Sequence, residues 1–233
     1  MIEFLASVPE ALTLSAIASA LERSPSEIFR VIRTLEQRGY LARQLGDRYA
    51  LTNRFFEQGL RRPTTASLLE IAYPEMRALA ALIGQSCHIS VPSGDVMVTV
   101  ARVEELRSAS FVVPIGFSVP LTESASGRVY LAYLPQNESA GHLADLTPKV
   151  RNRLLETLSQ IRARGYELAP SAGVTGLTDL SFPLFEADSR PSACLAVPIA
   201  TRRKELIPLK DLVNEVGRAA ERIDACLARL RRV

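Results

Sequence analysis

The four residues Ser-Pro-Ser-Glu at positions 24–27 fix the start of a helix more firmly than any other segment of this chain. Ser24 can cap the helix, Pro25 suits its first turn, and Glu27 completes a capping box. The helix is predicted to run to about Arg38, where Gly39 supplies a stop. The chain is therefore expected to begin with a small helical unit.

The two faces of this predicted helix differ in chemistry. Spacings of i, i+3, i+4 and i+7 give a core stripe of Ile28, Val31, Ile32 and Leu35. At about 100° per residue, the opposite face carries Ser26, Arg30, Arg33 and Gln37, which can donate hydrogen bonds to base edges and phosphates. Phe29 lies on the flank, where it can stack on a sugar or a thymine methyl, or touch a neighbouring helix.

Short elements on either side complete a winged helix-turn-helix. Helices are predicted over 2–8 and from Leu14 onward, the second with Ser15 as its N-cap. After Gly39, alternating apolar residues around a Gly-Asp turn at 46–47 predict a hairpin with arginine at its tip. In this fold the third helix enters the major groove and the wing reaches phosphates. The candidate DNA-binding residues are Ser26, Glu27, Phe29, Arg30, Arg33, Arg43 and Arg48. Two alternatives remain open: a solvated face, or a winged helix that docks a protein.

The remaining chain predicts an α+β domain. Residues 53–65 read as a linker, which places the winged domain and linker at 1–63 and a second domain at 64–233. Helices are expected over 67–83, 124–134, 148–164 and 206–230, and strands over 86–91, 96–103, 110–115, 181–187 and 193–200. Hairpins interspersed with helices are typical of an antiparallel sheet with helices packed on it.

Composition excludes several classes of function. The net charge is only +3. Of the 28 basic residues, three are Lys and the rest are Arg, which is the better residue for phosphate and guanine contacts. Charge alone nevertheless does not establish nucleic-acid binding. Three separated cysteines and two histidines offer no disulfide framework and no metal site. Cys87 and His88 are adjacent on a strand, so they point to opposite faces and cannot act together, and His88 is expected to be a surface or structural residue. We therefore expect no enzyme activity, no cofactor and no metal.

No secretory signal or membrane span is apparent, so the cytoplasm is the expected location.

Four stretches, in order along the chain, resemble one family. They are residues 26–41, residues 120–128 (PLTESASGR), residues 161–166 (IRARGY) and residues 176–198. The chain is similar in these stretches to the isocitrate-lyase-regulator (IclR) family of bacterial transcription factors. The resemblance implies a winged helix-turn-helix that binds double-stranded operator DNA, joined to a GAF- or profilin-like mixed α/β effector domain. It also implies a homo-dimer or tetramer, and a small organic or aromatic acid as effector.

The resemblance also implies where that effector binds. The matching positions are Ser108, Phe111, Ala125, Ser126, Leu177, Asp179, Ala196 and Pro198. Period-two alternation along the strand adds Cys194 to the apolar wall. Ser124 and Ser126 lie at a helix N-terminus and predict an anion-friendly corner. The expected ligand has one acidic or carbonyl end and an apolar body, whereas the alternative is an empty cavity in which both serines act only as helix caps.

Overall fold

A computed structural model describes residues 1–61, 63–106, 110–185, 190–201 and 206–230. The chain forms two compact units, Met1–Ala66 and Ser67–Val233. The architecture is α+β, as predicted. No helix within the described ranges is both long enough and apolar enough to cross a bilayer.

The first unit is a winged helix-turn-helix. Its elements are α1 (Ile2–Ser7), β1 (Leu12–Thr13), α2 (Leu14–Ala20), α3 (Pro25–Gln37), β2 (Leu41–Gln44), β3 (Arg48–Leu51) and α4 (Arg54–Leu60). The three strands form an antiparallel sheet in the order β1-β3-β2. The hydrophobic core of this unit includes the buried side chains of Leu5, Ile17, Ile28, Ile32 and Tyr49.

Three expectations for this unit are wrong in detail. Thr13, not Ser15, caps α2, because its side chain accepts a hydrogen bond from the amide of Ala16. Val31 is 47% exposed and not part of the core, because it lies at the edge of the apolar stripe whose centre is formed by Ile28 and Ile32. Residues 54–60 form α4 where a linker was expected.

The second unit contains a six-stranded sheet and five helices within the described residues. The elements are α5 (Pro63–Ile83), β4 (Cys87–Ser93), β5 (Val96–Val103), β6 (Ser118–Pro120), α6 (Ala125–Tyr133), α7 (Gln136–His142), α8 (Pro148–Arg164), β7 (Glu167–Pro170), β8 (Leu177–Phe185), β9 (Pro191–Ala200) and α9 (Leu209–Leu230). The strand order is β6-β5-β4-β9-β8-β7, with antiparallel neighbours throughout.

Each face of this sheet packs against its own helices. On one face, residues of β4, β8 and β9 form the larger core with α5 and α9, which includes Met76, Ile89 and Ile223. On the other face, α6 and α8 form a smaller core that contains Met97 and Cys194. This second core covers only part of its face, and the uncovered part is where a cavity opens.

The strand predicted over 110–115 is wrong, because residues 110–115 form no strand and β6 takes the edge position instead. Pro114 lacks an amide hydrogen for strand pairing, and Gly116 turns the chain with φ of +84° while its amide donates to the carbonyl of Thr99. The prediction also missed α7 and β7. The last two residues of the strand predicted over 181–187 lie outside the described residues.

Candidate DNA-binding surface and ligand cavity

Helix α3 presents the predicted polar face to solvent. Ser26, Arg30, Arg33 and Gln37 are all exposed, while Ile28 and Ile32 are buried on the opposite side. Phe29 is also 47% exposed on the flank of this polar face. The face therefore combines two guanidinium groups, a hydroxyl, an amide and an aromatic edge, all groups that bind DNA bases and phosphates.

Glu27 has a structural partner at the start of this helix. Its carboxylate accepts hydrogen bonds from the Ser24 amide at 3.0 Å and the Ser24 hydroxyl at 2.7 Å, and its own amide donates to Ser24 Oγ. These bonds from Ser24 lower the pKa of Glu27, so the carboxylate is charged at neutral pH. Glu27 therefore caps α3, and any role in reading a base would compete with that cap.

The wing lies between β2 and β3. Arg43 makes a salt bridge of 2.7 Å with Asp47, and Arg48 donates a hydrogen bond of 3.1 Å to the carbonyl of Ala11. Both arginines are exposed, but they flank the turn instead of occupying its tip. The tip carries Leu45, which is 97% exposed, so the expectation of arginine at the tip is wrong.

A cavity of about 400 Å³ opens on the α6 side of the large sheet. This volume is within the range of small-molecule sites, about 300–1,000 Å³. Eight of the predicted effector positions line it: Phe111, Ser124, Ala125, Ser126, Leu177, Asp179, Ala196 and Pro198. The fold thus brings together residues from α6, β8, β9 and the segment before β6, which are far apart in sequence.

Two predicted positions are not part of the observed lining. Cys194 is fully buried under α6, where its thiol donates to the carbonyl of Ser126 at 3.3 Å and burial raises its pKa to about 12. The alternation of β9 does place Cys194 on the same face as Ala196, but the α6 core covers that end of the strand. Ser108 lies outside the described residues.

The N-terminus of α6 is built by a serine cap and a close backbone approach. Ser124 Oγ accepts a hydrogen bond from the amide of Gly127 at 3.0 Å and donates to the carbonyl of Pro120 at 3.2 Å. A Cβ on Gly127 would collide with the backbone of Leu121, so only glycine lets the helix approach this closely. Ser124 is therefore committed to capping and takes up the Gly127 amide, which leaves the Ala125 and Ser126 amides of the first turn for an anion.

The sequence analysis missed several polar lining residues that lie on the central strands. His88, Ser90 and Thr99 come from β4 and β5 and all face the cavity. Burial lowers the pKa of His88 to about 4, so its imidazole is neutral at pH 7. His88 was expected to be either a surface residue or a structural one. Its position in the cavity wall shows that the first of these expectations is wrong. The alternation of His88 and Ser90 against Cys87 and Ile89 was visible in the sequence, but the burial of that face was not.

Asp179 is the one carboxylate among the described lining residues, which include no Lys or Arg. Burial raises its pKa, whereas a hydrogen bond with Ser171 and the positive charge of Arg128 oppose that rise. Arg128 itself is paired with Glu167 at 2.9 Å. An anionic ligand would therefore depend on helix amides and hydroxyls for its charge rather than on a cationic side chain in the described wall.

A winged helix-turn-helix unit combined with an α+β unit that encloses a cavity defines a class, the transcriptional regulators that carry an effector domain. Residues 1–45 match the IclR helix-turn-helix domain, and residues 64–225 match the bacterial transcriptional regulator IclR C-terminal domain. The chain belongs to the IclR family, as its sequence resemblance indicated.

Individual relatives agree with this assignment. The chain is 25% identical to the HTH-type transcriptional regulator KdgR of Escherichia coli, over 91% of this chain and 84% of that protein. It is 26% identical to the regulator BhcR of Paracoccus denitrificans, over 92% of this chain and 81% of that protein. An IclR homologue from Microbacterium hydrocarbonoxydans, solved in complex with 4-hydroxybenzoate, has the same fold with a TM-score of 0.79, 20% identity, and coverage of 97% and 95% of the two chains. These relatives are named as transcriptional regulators or IclR homologues and not as enzymes, in agreement with the prediction.

Proposed function

We propose that this regulator binds operator DNA through α3 and the wing, and that a small organic or aromatic acid in the cavity changes this binding. The observation that carries the proposal is the exposed Arg30 and Arg33 face of α3, held on a capped helix of a winged unit. Ser26 and Phe29 extend that face, and Arg43 and Arg48 would contact flanking phosphates. Glu27 would sit beside them as the helix cap.

The cavity supports an acid with an apolar body as the effector. The apolar wall consists of Phe111, Leu177, Ala196 and Pro198. The amides of Ala125 and Ser126 at the start of α6 would supply hydrogen-bond donors for a carboxylate. A relative with this fold has been solved with 4-hydroxybenzoate, a compound of the proposed chemical class.

The organisation follows from these roles. Residues 1–63 would serve as the DNA-binding domain and linker, and residues 64–233 as the effector-binding and oligomerisation domain. A homo-dimer or tetramer would match two-fold symmetric operators, since half-sites repeat with the symmetry of the protein. Because bacterial operator DNA lies in the cytoplasm, the protein would act there.

The experiment is selection of duplex DNA from a random library, followed by fluorescence anisotropy with the selected sequence. If Arg30 contacts a base, Arg30→Ala should weaken specific binding by about 1–3 kcal/mol and leave binding to random DNA less affected. Arg153→Ala, an exposed arginine on α8, is the matched control. Failure to select any sequence, or wild-type affinity in Arg30→Ala, would reject the proposed recognition surface.

A further inference from the structure

We propose that His88 and Ser90 form a second polar corner of the cavity, which accepts an uncharged hydroxyl or carbonyl group of the ligand. The inference rests on the proposed effector site and narrows its ligand class to organic acids that carry such a second polar group.

Two buried atoms carry the argument. Within the described chain, His88 Nδ1 and Ser90 Oγ are both buried and have no hydrogen-bond partner. Ser90 is only 2% exposed, yet both residues line the cavity. Buried polar atoms in proteins are nearly always paired, because an unpaired one loses its hydrogen bonds to water without replacement. A ligand group in the cavity would supply the missing partner for both, once a change of side-chain rotamer turns each buried atom towards it.

The charge state of the corner selects an uncharged ligand group. Burial keeps the His88 imidazole neutral, so one ring nitrogen donates a hydrogen bond and the other accepts one. The Ser90 hydroxyl can likewise donate or accept. A hydroxyl group can both donate to and accept from such partners, whereas a carboxylate only accepts and leaves the acceptor atoms of this corner unpaired.

The sheet holds this corner in place. Strand β4 lies between β5 and β9, so its backbone is paired on both sides. In the register, Ser90 lies opposite Thr99 on β5, and His88 lies opposite Ala196 on β9; both partners also line the cavity. The register with β5 shifts between Ile89 and Ser90, but both corner residues lie on a central strand, so their backbone positions do not depend on a loop.

The test uses matched pairs of acids that differ by one hydroxyl: benzoate and 4-hydroxybenzoate, phenylacetate and 4-hydroxyphenylacetate, propionate and lactate. Their dissociation constants are measured by isothermal titration calorimetry on the full chain at neutral pH. We expect at least one hydroxylated acid to bind about tenfold more tightly than its partner, the equivalent of one good hydrogen bond. Ser90→Ala and His88→Phe should each reduce this preference severalfold while the affinity for the unsubstituted acid changes little.

Ser93→Ala is the matched control, because Ser93 lies on the same strand but is exposed and outside the cavity lining. If His88→Phe fails to fold, as judged by circular dichroism, Ser90→Ala alone decides. The inference is overturned if no acid gains from its hydroxyl, or if the gain survives both changes in the corner. Either result leaves the proposed effector site intact if the unsubstituted acids still bind and the Ala196→Trp variant no longer binds them. The tryptophan side chain in that variant fills the cavity. If no acid of any pair binds, both proposals fail together.

Discussion

Replacement of Gly127 by alanine should destabilise the effector unit, although glycine is usually a poor helix residue. Helix propensity alone would favour alanine by about 1 kcal/mol. However, the added Cβ would collide with the carbonyl group and Cα of Leu121, which are backbone atoms that cannot swing aside. Over-packing costs about 1–3 kcal/mol, and an immovable obstacle places the cost at the upper end. The net loss should be about 1–2 kcal/mol of unfolding free energy.

Gly141 provides a matched comparison in the same unit. It also lies in a helix, α7, but a Cβ there would meet no atom of the described residues within 4 Å other than its chain neighbours and its own helix backbone. Gly141→Ala should therefore be neutral or stabilising by up to about 1 kcal/mol. Urea denaturation, monitored by circular dichroism, measures the unfolding free energy of both variants. If the two units unfold separately, the wild-type curve is fitted with one transition for each unit. If the unfolding free energy of Gly127→Ala is at least as large as that of Gly141→Ala, the close approach of Gly127 to Leu121 does not require glycine.

Two further predictions concern charge. The Glu27→Gln variant should keep the capping box, because glutamine serves in the same role. It should bind duplex DNA more tightly at low salt, since one negative charge near the phosphates is removed. Fluorescence anisotropy at two salt concentrations measures this affinity, and an unchanged affinity would place Glu27 away from the DNA. The His88 pKa, lowered from about 6.5 to about 4, means that the unfolded chain binds more protons between these values. Stability of the effector unit should therefore fall as pH drops from about 6.5 towards 4, by at most about 3 kcal/mol, and His88→Gln should lose that contribution when urea midpoints are compared at pH 7 and pH 5. An unchanged pH dependence in His88→Gln would assign the effect to other groups.

The winged unit could be predicted from sequence because its signals are local. The Ser24–Glu27 cap and the positive φ of Gly39 fix both ends of α3 within a few residues. The same local reasoning failed for Val31, whose spacing fits the core stripe although tertiary packing leaves it exposed. It also failed for residues 110–115, where apolar residues suggested a strand but Pro114 and Gly116 favour a turn.

The cavity could be predicted only in part, for a different reason. The expected residues around Ser126, Leu177 and Ala196 came from a family resemblance, not from periodicity. His88 and Ser90 were visible as one face of a strand, but burial of that face depends on the position of β4 between β5 and β9. Strand order in a sheet is set by contacts distant in sequence, so a single sequence does not reveal which polar face closes over a cavity.

The two-residue alternation of β4 has a consequence for how such regulators diversify. Cys87 and Ile89 belong to the core shared with α5 and α9, whereas His88 and Ser90 belong to the cavity. If the proposed corner binds the ligand, substitutions at the second pair would alter which compound binds without disturbing the packing that keeps the domain folded. A single strand would then carry ligand selectivity on one face and the structural packing on the other.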